Sequence, residues 1–180
     1  MKKAFFLVVL LLVAFVFSSC EGYLYIGDGW QDTPQKALTI EAEDDPFIGE
    51  TLTVSTLLDT WYIDDMAFML FVSEDDSLVE TQFVTNNKGK YHYQGCSYGA
   101  PDSFVSCEDG EHSLADMCVQ YGTVVYGYKY STESITVNGK APETKTYTFS
   151  CQGQEWSIDR WWIDNKENAE INIETTNQGA

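Results

Sequence analysis

The side chains that most often carry out acid–base chemistry near neutral pH are scarce in this chain. Its only histidines are His92 and His112. His92 lies between two tyrosines in a predicted strand, where alternation places it on the face opposite to them, so a structural or solvated histidine is favoured. His112 lies in a polar loop, where a titrating switch is the alternative. Because no His-Glu-x-x-His, P-loop or dinucleotide signature occurs, we predict no catalytic residue and no cofactor.

Acidic side chains are far more numerous, and they are concentrated in clusters at residues 41–45, 64–65 and 74–76. The neighbours Asp64 and Asp65 would point to opposite faces of a strand, so this pair cannot flank one glycosidic bond. The clusters also lack the spacing of a calcium loop, although weak Ca²⁺ association stays open. We interpret them as solvated loops and predict no metal site. A hydrolase that uses acidic residues is the alternative function.

The net charge of the chain, −18, restricts its partners. A field of this sign repels nucleic acid and anionic lipid headgroups, and it attracts cations and basic partners. The basic face that nucleic-acid recognition requires is absent. The composition therefore excludes nucleic-acid binding.

Aromatic residues are abundant in the predicted strands. Tyr126, Tyr128 and Tyr130 share one face of a strand, whereas Trp161 and Trp162 must point to opposite faces. We therefore expect one of the two tryptophans to be exposed or at an edge. Packing in a β core is the favoured role of these side chains, and a stacking surface for sugars or peptides is the alternative.

The first residues have the pattern of a secretory signal peptide. Lys2 and Lys3 precede an apolar run over residues 4–17 that contains neither a charge nor a glycine. Spanning a bilayer takes about 20 apolar residues, so this run is short for a membrane helix. Ser18 and Ser19 supply the small side chains of a cleavage site. Residues 1–19 are therefore predicted to be a signal peptide, with ordinary cleavage near Ser18 or an uncleaved anchor as alternatives.

The segment Phe17-Ser18-Ser19-Cys20 resembles the lipobox of bacterial lipoproteins, with Phe17 where leucine is usual and Ser19 where glycine or alanine is commoner. The resemblance implies cleavage before Cys20 and a diacylglycerol on its thiol. Two acyl chains suffice for stable anchoring, since each buried CH₂ contributes about 0.8 kcal/mol. Cys20 is therefore the predicted lipidation site.

Four further cysteines follow. If Cys20 carries lipid, Cys96, Cys107, Cys118 and Cys151 remain, an even number in an oxidising compartment. Two disulfides are expected, and their pairing stays open. A zinc site is disfavoured because no Cys-x₂-Cys pair occurs. The segment between the first and third of these cysteines, rich in Gly, Ser, Pro and Asp, is predicted to be a loop stapled by the disulfides.

The elements that position these residues follow from periodicity. Thr33 can cap a helix over residues 34–43, whose first turn accommodates Pro34. From residue 50 onward, alternating and apolar runs between turn residues predict strands, with hairpin turns at 138–139 and 152–153. The predicted fold is α+β, mainly antiparallel β-sheet in meanders and hairpins, with one short N-terminal helix and the disulfide-stapled loop.

The predicted organisation is a tether over residues 20–32 and a single β-rich domain over 33–180. Two β-units, 33–95 and 119–180, joined by the cysteine-containing loop, are the alternative. Residues 32–38, 125–128, 138–140 and 156–163 resemble short stretches of small exported lipoproteins of Gram-positive bacteria. The resemblance implies a short helix followed by β-hairpins, and it implies no activity.

These features predict a lipoprotein anchored in the cell membrane at the extracytoplasmic face. The mature part is predicted to be a non-enzymatic binding domain of the cell envelope, and its expected partner is a basic protein or a wall polymer.

Overall fold

The computed structural model describes residues 29–41, 52–105, 118–167 and 170–177. These residues form mainly antiparallel β-sheet with one α-helix and a 3₁₀ turn at Pro101–Phe104. The elements are α1 (Pro34–Glu41), β1 (Val54–Ile63), β2 (Met66–Ser73), β3 (Leu78–Thr85), β4 (Tyr91–Gly99), β5 (Val119–Tyr121), β6 (Val124–Tyr130), β7 (Glu133–Val137), β8 (Glu143–Cys151), β9 (Gln154–Asp164) and β10 (Ile173–Asn177).

The helix begins where its capping residues predict. The backbone N–H of Lys36 donates to Thr33 Oγ1 at 3.3 Å, and Pro34 occupies the first helical position, where no N–H is needed. Just before the helix, Gln31 exchanges two backbone hydrogen bonds with Tyr91, each 2.8 Å long. This bridge attaches the chain to β4 before α1 begins.

The strands form three sheets. The first sheet is a meander with the order β1-β2-β3-β4, and the second has the order β5-β6-β9-β8. The third is the antiparallel pair β10-β7. The predicted turns are present at Asn138-Gly139 and Gln152-Gly153, where both residues of each pair have positive φ, as two-residue hairpin turns require.

The sheets are stacked in layers, and each of the two large sheets carries apolar residues on both faces. On β2, Phe68 and Leu70 point into a core shared with the second sheet, whereas Met69 and Phe71 pack on the side that carries α1. This explains why the sequence of β2 is continuously apolar. The outer face of the second sheet is covered in turn by the β7–β10 pair.

The predicted disulfide-stapled loop is wrong. Among the cysteines that the structure describes, no two lie at disulfide distance. They are in different layers: Cys151 in the core between the two large sheets, Cys96 on the outer face of the first, and Cys118 on the outer face of the second. Cys96 belongs to β4 rather than to a loop. Cys107 lies outside the described residues.

Cys151 has a defined environment of its own. Its Sγ donates to the backbone oxygen of Asp76 at 3.1 Å. Burial, together with the charges of Asp76 and Asp75, raises the pKa of the thiol to about 11. The side chain therefore acts as a small core residue in its protonated form.

Within the described ranges, no helix is long and apolar enough to cross a membrane. The predicted signal peptide, the lipidation site Cys20, His112 and most of the first acidic cluster lie outside those ranges.

Candidate functional site

Polar side chains lie between the two large sheets, where apolar packing would be expected. Glu80 projects from β3 of the first sheet, and its carboxylate is reached by two tyrosines of β6 in the second. The hydroxyl of Tyr126 donates to Glu80 Oε1 at 2.8 Å, and that of Tyr128 donates to Oε2. Beside them, the hydroxyl of Tyr121 donates to Gln82 Oε1 at 2.5 Å. We call Glu80, Gln82, Tyr121, Tyr126 and Tyr128 the Glu80 cluster.

Local sequence explains how these residues meet. Leu78, Glu80 and Gln82 occupy alternate positions of β3, so all three point to the inner face of the first sheet. Tyr126 and Tyr128 share the inner face of β6, as the sequence predicts. A buried tyrosine hydroxyl requires a hydrogen-bond partner, and Glu80 provides one for each.

Burial determines the protonation of this cluster. Glu80 is only 4% exposed. Burial raises the pKa of its carboxyl, although hydrogen bonds from Tyr128 and Tyr126 and the charge of Arg160 oppose the shift. Burial and the neighbouring Glu80 carboxylate raise the pKa of both tyrosine hydroxyls above their usual range. The tyrosines therefore stay protonated and act as donors.

A cavity of about 280 Å³ adjoins the Glu80 cluster. This volume is close to the lower limit of small-molecule sites, roughly 300 Å³. Tyr98, which is 54% exposed, lies at the opening. The residues that line the cavity include Glu80, Tyr98, Ser103, Phe104, Tyr126 and Tyr128.

A second polar contact joins the sheets next to this cluster. Asp59 of β1 accepts hydrogen bonds from Lys145 Nζ at 2.7 Å and from the Tyr147 hydroxyl at 2.6 Å, and it pairs with Arg160 Nη1 at 3.2 Å. The guanidinium of Arg160 lies 3.9 Å from the ring centroid of Trp61. Burial alone would raise the pKa of Asp59, but the hydrogen bonds and the charge of Arg160 outweigh it and lower that pKa. Asp59 is therefore ionised and structural.

A third buried pair lies on the outer face of the second sheet. Lys129 Nζ is 2.6 Å from Asp159 Oδ2, and the two side chains are 5% and 9% exposed. Ser131 and Thr146 each donate a hydroxyl to Asp159 Oδ1. Burial raises the pKa of Asp159, but these hydrogen bonds and Lys129 outweigh it and lower that pKa. Packing beneath β7 leaves this pair away from the cavity.

His92 and the acidic pair of Asp64 and Asp65, which were candidates from the sequence, do not line the cavity. His92 is half-buried on β4, with Nδ1 2.8 Å from the backbone oxygen of Tyr93 and Trp30 against its ring. It does not line the cavity. Asp64 and Asp65 form the exposed β1–β2 turn. This acidic pair therefore does not line the cavity.

The aromatic residues of β6 and β9 pack in cores. Tyr126 and Tyr128 are buried between the sheets. The expectation of a tryptophan at 161–162 that is exposed or at an edge is wrong. β9 lies between β6 and β8, Trp161 is fully buried under the β7–β10 pair, and Trp162 is half-buried beside Arg160. The sequence did not predict that β7 and β10 cover Trp161, because these two strands are short and far apart in sequence.

Sequence reasoning also missed Glu80. A glutamate that alternates with apolar residues usually lies on a solvent face, and here a second sheet covers that face. The available signal was the set of tyrosines on β6, whose hydroxyls needed acceptors if buried. The described part of the chain contains no group of three or more His, Cys, Asp or Glu side chains able to hold a metal ion.

The raised pKa of Glu80 leads to a stability prediction. Between its ordinary pKa of 4.5 and its raised folded-state pKa, the unfolded chain releases a proton that the folded chain retains. Stability therefore falls as the pH rises through this window. In Glu80→Gln this loss is absent, while the amide can accept from one tyrosine and donate to the other. We expect the free energy of unfolding of the variant, relative to wild type, to increase above pH 4.5.

Urea unfolding at a series of pH values measures this difference. Below pH 4 the two proteins should lose stability in parallel, because the lowered pKa values of Asp59 and Asp159 govern that range in both. If the free energies of unfolding of the two proteins differ by an amount that does not change with pH, the raised pKa of Glu80 is contradicted.

Comparison of the chain with protein-family models, with curated proteins and with solved structures finds no match.

Proposed function

We propose that this protein is a membrane-anchored extracytoplasmic lipoprotein whose mature part is a non-enzymatic binding domain. The observation that carries the binding proposal is the cavity beside Glu80, which combines a buried carboxyl group with aromatic walls. The charge of −18 favours a basic partner, either a protein or a wall polymer, with association that weakens as salt screens the field. Anchoring through Cys20 would hold the domain in the cell envelope.

A binding role agrees with the chemistry around the cavity. Glycoside hydrolysis requires two carboxyl groups, about 5–10 Å apart, on either side of the bond. Among the described residues that line the cavity, Glu80 is the one carboxyl group. Asp59 and Asp159 are held in ion pairs elsewhere. The lining therefore offers recognition groups without the second carboxyl group that such a hydrolase requires.

One observation favours the alternative, an extracytoplasmic hydrolase. The pKa of the Glu80 carboxyl is raised, as it is in many general acids. A screen of wall and glycan substrates with wild type and Glu80→Gln separates the two functions. Turnover that disappears in the variant, while its unfolding curve stays cooperative, would establish the hydrolase.

The anchor is tested by Cys20→Ser. Without the thiol no diacylglycerol can be attached, so the protein should move from the membrane fraction to the soluble fraction or the medium. Immunoblots of fractionated cells measure the distribution. Cys151→Ser is the matched control, because its thiol is buried in the domain, and it should remain with the membrane. Retention of Cys20→Ser at the membrane would show that an uncleaved apolar segment is the anchor.

A further inference from the structure

Three of the hydroxyl groups that line the cavity present acceptors to a ligand rather than donors. The hydroxyls of Tyr126 and Tyr128 donate to Glu80, and Ser103 Oγ donates to the backbone oxygen of Ala100 at 2.7 Å. The hydrogens of these three hydroxyls are thus already used within the protein, whereas their oxygen lone pairs remain. A ligand that enters meets acceptors from these side chains, so it must bring the donors itself.

The charged groups near the cavity restrict the class of ligand further. Among the described residues, no lysine or arginine lines the cavity, whereas Glu80 places a carboxyl group there. Arg160, the cation whose charge acts on Glu80, is already paired with Asp59 at 3.2 Å. The surroundings therefore favour a cation over an anion or a neutral acceptor.

The remaining walls suit an aliphatic chain that carries such a cation. Phe104 packs edge-to-face against Tyr128, with ring centroids 5.7 Å apart, and Val119 lies beside them. Tyr98 lies at the opening, and aromatic faces attract an ammonium group. The volume of about 280 Å³ admits a short chain rather than a large ligand.

We propose that this cavity binds a primary ammonium group on a short alkyl chain, with Glu80, which releases its proton to solvent when the cation binds, as its counter-ion and the hydroxyl oxygens of Tyr126, Tyr128 and Ser103 as further acceptors. This inference rests on the proposed binding function and names its ligand class. The same chemistry occurs in a free alkylamine and in the side chain of a lysine residue, so the test separates these sources.

The probe is n-butylammonium, which reproduces the lysine side chain, titrated into the full-length protein in a non-ionic detergent. Saturation-transfer NMR follows binding, and n-butanol is the uncharged comparison. We expect a dissociation constant of roughly millimolar size, since so few atoms limit affinity. Butanol should give a signal at least tenfold weaker. Equal signals from the two probes, or none from the amine, would overturn the proposal.

Variants locate the site. Glu80→Gln should weaken amine binding at least tenfold, and Tyr98→Ala should weaken it severalfold. Glu143→Gln makes the same chemical change at an exposed position on β8, so its affinity should stay within twofold of wild type. Equal losses in the two glutamine variants would show attraction by overall charge alone and would refute the site.

Titration with Nα-acetyl-lysine-N-methylamide distinguishes a lysine side chain from a free alkylamine as the ligand. Binding comparable to n-butylammonium supports the site and indicates a lysyl side chain, whereas binding of n-butylammonium alone supports it and indicates a free amine. Failure with all amines would remove this ligand class, yet it would leave the binding function standing if envelope partners are still captured in a salt-dependent way. Loss of both would remove the binding function as well.

Discussion

Lys129→Met is expected to lower the free energy of unfolding by about 3–5 kcal/mol, because it leaves the buried Asp159 without its cation. The lysine also donates to the backbone oxygens of Tyr130 and Glu133, at 3.3 and 2.7 Å, and these acceptors lose their donor too. Methionine fills a similar volume, so lost packing adds little. Urea unfolding followed by tryptophan fluorescence measures the change.

Two variants test the cause of that loss. Lys166 pairs with Asp164 at 2.9 Å, but its side chain is 78% exposed, so Lys166→Met should destabilise the protein far less than Lys129→Met. The double variant Lys129→Met/Asp159→Asn removes the stranded charge, and it should be more stable than Lys129→Met alone. A double variant that is less stable than Lys129→Met would show that the charge is not the cause.

Asp59→Leu should have an effect of similar size, about 3–5 kcal/mol, because the buried Arg160 then loses its ion-pair partner. The hydroxyl of Tyr147 also loses its acceptor. Stacking on Trp61 holds the guanidinium in place, so it cannot escape to solvent without breaking this contact. The free energy of unfolding in urea is again the measurement.

The matched control uses the other partner of the same carboxylate. Lys145 contacts Asp59 at 2.7 Å, and its side chain is 48% exposed, so Lys145→Met should cost about 1 kcal/mol or less. Similar losses in the two variants would contradict the view that burial of Arg160 makes Asp59 important.

The strands were predictable where one physical rule dominated. Alternation defines β8, whose Tyr147, Phe149 and Cys151 are buried while the residues between them are exposed. Positive φ at Asn138 and Gly139 fits the turn that this pair predicts. The prediction of disulfides was wrong, because an even number of cysteines contains no information about which layer each one occupies.

The candidate site was harder to predict for a related reason. An alternating pattern indicates on which face of its strand a residue lies, but it does not indicate which element will pack on that face. Glu80 meets Tyr126 and Tyr128 only because two sheets from separate parts of the chain stack. The polar residues of the strands are therefore understood only after the layers are known.

The inner faces of the two large sheets are oppositely charged, and this affects how the chain folds. The face of the first sheet carries Asp59 and Glu80, and that of the second carries Lys145 and Arg160. Before the sheets stack, two copies of the first sheet would place like charges against each other. Inward-pointing charges of this kind oppose self-association of half-folded chains, whereas the correct pairing within one chain brings opposite charges together. The same residues that make the core polar thus direct each sheet towards its own partner during folding.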